Sequence, residues 1–384
     1  MSKKNIVILG GGIGGIVAAN ELRRHLGRDH RIVIVDKNRI HALGLSFLWI
    51  MVGWRKAYTI EKHLSLLEKK GIEFLHAAVT GINMSAKRIE TEKGSLAYDY
   101  LIVSLGAEYG WDVVPGLDTN VHTFYTLQGA EEVHRRLAEF EGGTIAIVLA
   151  SVPYKCPPAP YEAAMLIDSY LRRKSIRAKT SIDVFIPEPA PMQIAGPEAA
   201  KLLQGMLEMK EITLNVSHRL RSFNSVQSSL DFENGSHANA DLAIFIPPHR
   251  SPKIVRDAGL TNQSGWIPVH RLSLRTTHEN VFAIGDVTTI PLSNGMSLPK
   301  AGIFALSEAE IVAHNIAHEI IDGKKERTFE GTGYCFIEIG DGKAGHVSGE
   351  FFADPSPKVT FREPSSASHW GKVVFEKYWL WRWF

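Results

Sequence analysis

The stretch Ile6-Val7-Ile8-Leu9-Gly10-Gly11-Gly12-Ile13-Gly14-Gly15 decides the fold of this 384-residue chain. Four apolar, mostly β-branched residues predict a strand buried on both faces. Gly10, Gly12 and Gly15 then satisfy Gly-x-Gly-x-x-Gly, the spacing that turns a strand tightly into a helix and lets backbone approach a pyrophosphate. Ile16 to Leu26 carries apolar residues at helical spacing, and Ile32–Val35 predicts a second strand. Asp36 ends that strand about 20 residues past the last glycine, where a carboxylate reaches a ribose hydroxyl. Strand, glycines, helix, strand and acid in this order point to a dinucleotide-binding βαβ unit.

At roughly 150 residues per domain the length predicts two or three domains. Lys plus Arg is 43 and Asp plus Glu is 41, a formal charge of +2, with 22% charged and 45% hydrophobic residues. That balance excludes a disordered chain, a disulfide-rich mini-protein and a nucleic-acid binder built on a broad basic surface. Two cysteines, Cys156 and Cys335, are too few for a disulfide framework or a cysteine-only zinc or iron–sulfur centre, so no metal is expected and packing or redox chemistry is left to them. Residues 1–4 lead directly into the first strand without a charged, apolar and small-residue cleavage pattern, which predicts a cytoplasmic protein with no signal peptide. No apolar run approaches the ~18 residues of a spanning helix; Leu45 to Val52 is far too short.

Further along, Thr144–Leu149 and Ile182–Ile186 predict strands flanking a helix over Tyr161–Arg173, an α/β rhythm that implies a second parallel sheet inserted into the first domain. Asn280 to Asp286 predicts a strand running into Gly285-Asp286, and Ala301 to Ile320 a helix.

The glycine fingerprint, Tyr98-Asp99-Tyr100-Leu101-Ile102-Val103-Ser104-Leu105-Gly106 and Val281–Asp286 together resemble the flavoproteins with two dinucleotide-binding domains, of glutathione-reductase-like fold. The resemblance implies an α/β fold of two Rossmann-like domains, with FAD held at Gly10, Gly12, Gly15, Asp36, Gly106, Gly285 and Asp286. Most such proteins carry a second glycine fingerprint for a nicotinamide nucleotide. Here the strand Thr144–Leu149 is followed by Ala150-Ser151-Val152-Pro153-Tyr154-Lys155-Cys156-Pro157-Pro158-Ala159-Pro160, which has no glycine and whose prolines remove amide donors. The nicotinamide site is therefore expected to be absent or compromised.

Residues 153–162 (PYKCPPAPYE), 298–305 (LPKAGIFA) and 331–340 (GTGYCFIEIG) resemble the sulfide:quinone oxidoreductase and flavocytochrome c sulfide dehydrogenase family. The resemblance implies that Cys156 and Cys335 face each other beside the flavin as a redox pair, that Glu162 accepts a proton, and that Lys300 sits near the flavin pyrimidine. Tyr125 stands where many relatives have a third cysteine. Each role has a plainer counterpart: two unrelated packed thiols, a first-turn acid favoured by the helix dipole for Glu162, and a solvated surface lysine for Lys300.

The resemblance further implies sulfide as donor and quinone as acceptor. The tail Phe375–Phe384, with Trp379, Trp381 and Trp383 among Lys377 and Arg382, and Trp370 just upstream, suits a bilayer interface and peripheral, monotopic attachment to the cytoplasmic face of the cell membrane. Its plainer counterpart is an aromatic tail packed on the core or on a second subunit, and self-association is compatible with the chain. The implied division is an FAD-binding domain over 1–112 and 270–325, a second Rossmann-like domain over 113–269 carrying Cys156, and a C-terminal region over 326–384 carrying Cys335. The FAD is expected to be non-covalent, because both cysteines are engaged in redox chemistry. Alternative readings are a flavocytochrome-type subunit, a type II NADH:quinone dehydrogenase, and a flavin redox sensor without turnover.

Overall fold

The structure is a computed structural model that describes residues 2–321 and 326–384; the domain boundary drawn at residue 325 lies outside the described residues. Asn5–Leu9, Arg31–Asp36, Glu73–His76, Tyr100–Val103 and Val281–Ala283 form a five-stranded parallel sheet with Asn5–Leu9 at its centre. From Ile6 to Leu9 the central strand is apolar because both its faces are covered. Ile6 and Ile8 pack with Ile16 and Val17 of the helix Ile13–Leu26, while Val7 and Leu9 pack on the other face with Val33, Val35 and Leu101. The last strand comes from far along the chain, and the helix that follows it, Gly302–Ile321, lies against Ile13–Leu26: a Cβ on Gly302 would meet the Ile13 side chain.

A second parallel sheet contains Ile212–Asn215, Thr180–Phe185, Gly143–Leu149 and Leu242–Ile246 in that spatial order, with the helix Ala159–Arg173 as the first crossover. Both sheets are the α/β, Rossmann-type arrangement expected from the sequence. The observed elements begin one to three residues earlier than their apolar patterns for three of them: Ile13 for the first helix, Gly143 for the strand and Ala159 for the crossover helix. Glycine, alanine and proline in a first turn carry no periodic apolar signal, so pattern reading starts late.

The chain closes with an antiparallel sheet of Thr332–Gly340, Lys343–Glu350 and Lys358–Ser365 and a helix, Ser366–Arg382, whose Ser365 hydroxyl caps it by accepting from Ser368 N. The tail divides by helical face. Trp379, Leu380 and Trp383 are buried, with Trp379 stacked on His41 at 4.9 Å between ring centroids. Trp370, Val374, Tyr378 and Trp381 are between 52% and 74% exposed and share the opposite stripe at i, i+4, i+8 and i+11. The tail is thus partly core and partly outward-facing, where the sequence posed these as alternatives. No helix among the described residues is long and apolar enough to cross a membrane.

Candidate active site

The first βα junction is shaped for a phosphate. Gly10 has φ +103°, and a Cβ there would collide with the Ser104 carbonyl; a Cβ on Gly15 would collide with the Gly10 carbonyl. Gly12, by contrast, has nothing within 4 Å of where a Cβ would be, and no side chain caps the helix that starts at Ile13. The result is an open, uncapped helix N-terminus, which attracts anions. Asp36 holds the loop: its Oδ2 accepts from Gly11 N (2.6 Å) and its Oδ1 from Asn38 N (2.7 Å). The expected ribose ligand is therefore also a brace for the glycine turn.

Beyond the carboxyl ends of the strands Tyr100–Val103 and Val281–Ala283 of the same sheet, Gly106 (φ +68°) and Gly285 (φ +74°) take left-handed conformations, and Asp286 Oδ1 is buried without a hydrogen-bond partner. Lys300 is buried, not solvated. Its Nζ donates to the carbonyls of Asp286 (2.7 Å) and Thr288 (2.9 Å) and lies 3.4 Å from the centroid of Trp266, and burial brings its pKa down to about 8. Glu308 lies beneath, accepting from Gly285 N (2.6 Å), with burial raising its pKa to about 7. An open helix N-terminus, a carboxylate oxygen without a partner and a buried cation along one crevice fit the diphosphate, the polyol chain and the flavin of FAD.

The second βα junction holds sulfur instead. Cys156 follows the strand Gly143–Leu149 and precedes the helix Ala159–Arg173, with φ +59°, its N donating to Lys300 O (2.7 Å) and its carbonyl accepting from Ala159 N (2.9 Å). Cys335 lies on the strand Thr332–Gly340. The fold brings the two close enough to shift each other's acidity, as free, part-exposed thiols, with Cys335 Sγ also directed at the Phe336 carbonyl (3.5 Å). Their proximity lowers the pKa of Cys335 and raises that of Cys156, which burial pushes up further.

Beneath the pair is a layer of buried charge. Glu162, in the first turn of its helix, pairs with Lys372 of the C-terminal helix, which also lies over the Trp49 ring at 5.2 Å. Burial pushes the Glu162 carboxyl up, against the pull of Lys372; burial opposes charge on Lys372, but Glu162 and Glu338 outweigh it and hold its pKa high. Lys372 favours the thiolate on either cysteine, whereas Glu162 opposes it. Glu338 and His369 (2.9 Å) and Glu376 with Arg55 (3.0 Å) and Ser46 (2.7 Å) continue this layer under the aromatic stretch Phe47–Trp54, which is core here. Sequence pattern did not mark Lys372 or Glu308. A charged residue at a buried helical position is the one signal either carries.

This fold and site define a flavin-dependent oxidoreductase with a paired-cysteine centre. The chain belongs to the pyridine nucleotide-disulphide oxidoreductase family, whose model matches residues 4–305 and whose members bind FAD. It is similar to a sulfide-quinone reductase of Aquifex aeolicus, with 27% identity covering 99% of this chain and 91% of that one. It is also similar to a mitochondrial sulfide:quinone oxidoreductase of Mus musculus, with 26% identity covering 93% and 80%. The crystal structure of an Aquifex aeolicus sulfide:quinone oxidoreductase superposes with a TM-score of 0.90 at 25% identity, again over 99% and 91% of the two chains.

Proposed function

We propose that this chain is an FAD-dependent sulfide:quinone oxidoreductase, and the observation that carries the reading is that the fold brings the free thiols of Cys156 and Cys335 together at the second βα junction. In the oxidised pair, hydrosulfide attacks the Cys156 sulfur; the S–S bond breaks, a persulfide forms on Cys156 and Cys335 leaves as thiolate. This direction agrees with the lowered pKa of Cys335, since a more acidic thiol is a better leaving group. A second hydrosulfide takes the outer sulfur as hydrodisulfide and leaves a thiol on Cys156. Closing the thiol and thiolate to the disulfide again releases two electrons and one proton. Bound FAD would supply the two-electron acceptor for this closure, with quinone as the final acceptor. Glu162, buried and of raised pKa, receives the proton, and Lys372 steadies the Cys335 thiolate. Lys300 provides the cation that a reduced, anionic cofactor calls for.

The FAD is non-covalent in this reading, because the two cysteines are occupied with each other. The division into residues 1–112 with 270–325, 113–269 and 326–384 belongs to the same proposal, supported by the two sheets and the C-terminal sheet. The exposed stripe Trp370, Val374, Tyr378 and Trp381 supports peripheral attachment to a membrane on its cytoplasmic face. On the inner side of that helix Phe375 meets Tyr334, 6.4 Å between centroids, and Tyr334 precedes Cys335 and lines an open cleft of about 690 Å³ with His346. This supports a quinone approaching from the bilayer toward the redox pair.

Anaerobic mixing of the purified protein with sulfide tests the reading. Bleaching of the oxidised flavin, reversed by a soluble quinone and lost in both C156S and C335S while FAD is retained, is the expected result. Bleaching by NADH with indifference to sulfide would overturn it.

A further inference from the structure

Lys155 adjoins Cys156 at the second βα junction. No ion pair holds it among the described residues. Its Nζ lies over the rings of Tyr109 (4.9 Å) and Tyr125 (5.9 Å). Burial works against its charge, but Tyr109 and the Asp286 carboxylate outweigh it and keep the ammonium ionised. The position is built rigidly. Tyr125 OH donates to Lys155 O (2.7 Å), Tyr109 OH donates to Tyr125 O (2.6 Å), and the next residue, Cys156, is tied to Lys300.

The same two tyrosines are met edge-on by His249, with centroids at 5.2 Å and 5.3 Å. This ring is buried and its Nδ1 faces the Pro247 carbonyl at 2.8 Å, so Nδ1 must carry the hydrogen. Its Nε2 is then a bare lone pair, and it is buried with no partner. A fixed cation and an unfilled acceptor around one aromatic wall, next to a reactive sulfur, are the counterparts of a small anion that also carries one hydrogen. Either feature alone in a buried place is costly unless a ligand completes it.

We propose that Lys155, with His249 and Tyr109, is the seat that holds the hydrosulfide ion for attack on Cys156: the sulfur's charge faces the Lys155 ammonium and its single hydrogen faces His249 Nε2. The seat makes Lys155 a substrate-binding residue, and it explains why the cation immediately precedes the attacked cysteine. Tyr125 thereby has a use of its own: it fixes the Lys155 backbone and forms part of the wall.

This inference rests on the sulfide reading above, and its test separates the two. Anaerobic flavin reduction is followed against sulfide concentration in the unaltered protein and in K155M, K155Q and K155R, with thiocyanate as an inert competing anion. The expected result is a half-saturating sulfide concentration raised about 10- to 100-fold in K155M and K155Q, near that of the unaltered protein in K155R, with the limiting rate changed far less. Thiocyanate competes with sulfide in the unaltered protein and loses that competition in K155M. A sulfide dependence in K155M within about twofold of the unaltered protein overturns the seat, as does a loss of FAD or a shifted flavin spectrum without a change in half-saturation, which would assign Lys155 to the cofactor. No bleaching by sulfide in the unaltered protein would instead overturn the function from which the seat follows.

Discussion

The two strand-to-helix junctions of the parallel sheets occupy the same topological place and do opposite things. At Leu9–Ile13 three glycines keep side chains away, and the helix N-terminus stays open for an anion. At Leu149–Ala159 the place is filled: Tyr154 donates from its hydroxyl to Pro157 O (2.9 Å), Pro157, Pro158 and Pro160 offer no amides, and Cys156 sits at the mouth. The acids beyond the second strands differ in the same way. Asp36 accepts from two backbone amides, whereas Glu188 keeps a buried Oε2 without a partner. A crevice at the carboxyl ends of parallel strands is a place where something binds, and the residues at its lip decide whether that is phosphate or sulfur chemistry.

The comparison breaks most sharply at Gly12. In G12D the new carboxylate enters space that is free of protein atoms, so the fold should persist while FAD content after purification falls by at least about tenfold. A thermal unfolding curve beside the flavin absorbance checks both halves of that statement. At the sulfur junction, K372M leaves Glu162 buried without its counter-charge and should destabilise the protein by about 3–5 kcal/mol in urea unfolding. Much of that loss should return in the double variant E162Q/K372M, which removes both charges.

Cys156→Ala removes the S–H that holds the Cys335 pKa down. The pH midpoint for alkylation of Cys335 by iodoacetamide should therefore rise relative to the unaltered protein, and a midpoint that stays put would mean that Cys156 does not set it. The smallest effect is expected at Glu188, whose pKa burial raises to about 7. Its folded form holds a proton that the unfolded form, with an ordinary carboxyl, gives up at lower pH. That contribution to stability is present below about pH 4.5 and is lost as pH rises through about 7. E188Q should match the unaltered protein near the acid end and exceed its stability near pH 8.

The C-terminal helix sharpens the lesson about legibility. Its aromatic residues announce an amphipathic segment, yet Trp379 and Trp381, two positions apart, end in opposite surroundings, one fully buried and the other 74% exposed. Residue type alone does not distinguish them, because both faces of this helix are apolar in part. The charge layer was still less legible. Lys372 reads in sequence as one more solvated lysine, and only the docking of residues 366–382 against the sheet 332–350 sets it over Trp49 and against Glu162.

By itself the sequence determined the first βα unit, the late Gly285-Asp286 strand end and the missing second fingerprint, because each depends on short-range geometry: a turn that only glycine permits, or an amide that proline lacks. It also named Cys156 and Cys335 through their flanking residues. Only the tertiary structure decided that the two sulfurs meet, and that Lys155 and His249 both lie against Tyr109 and Tyr125. These depend on electrostatics among residues distant in sequence, whose energies depend on distance and burial, and neither is encoded in local spacing.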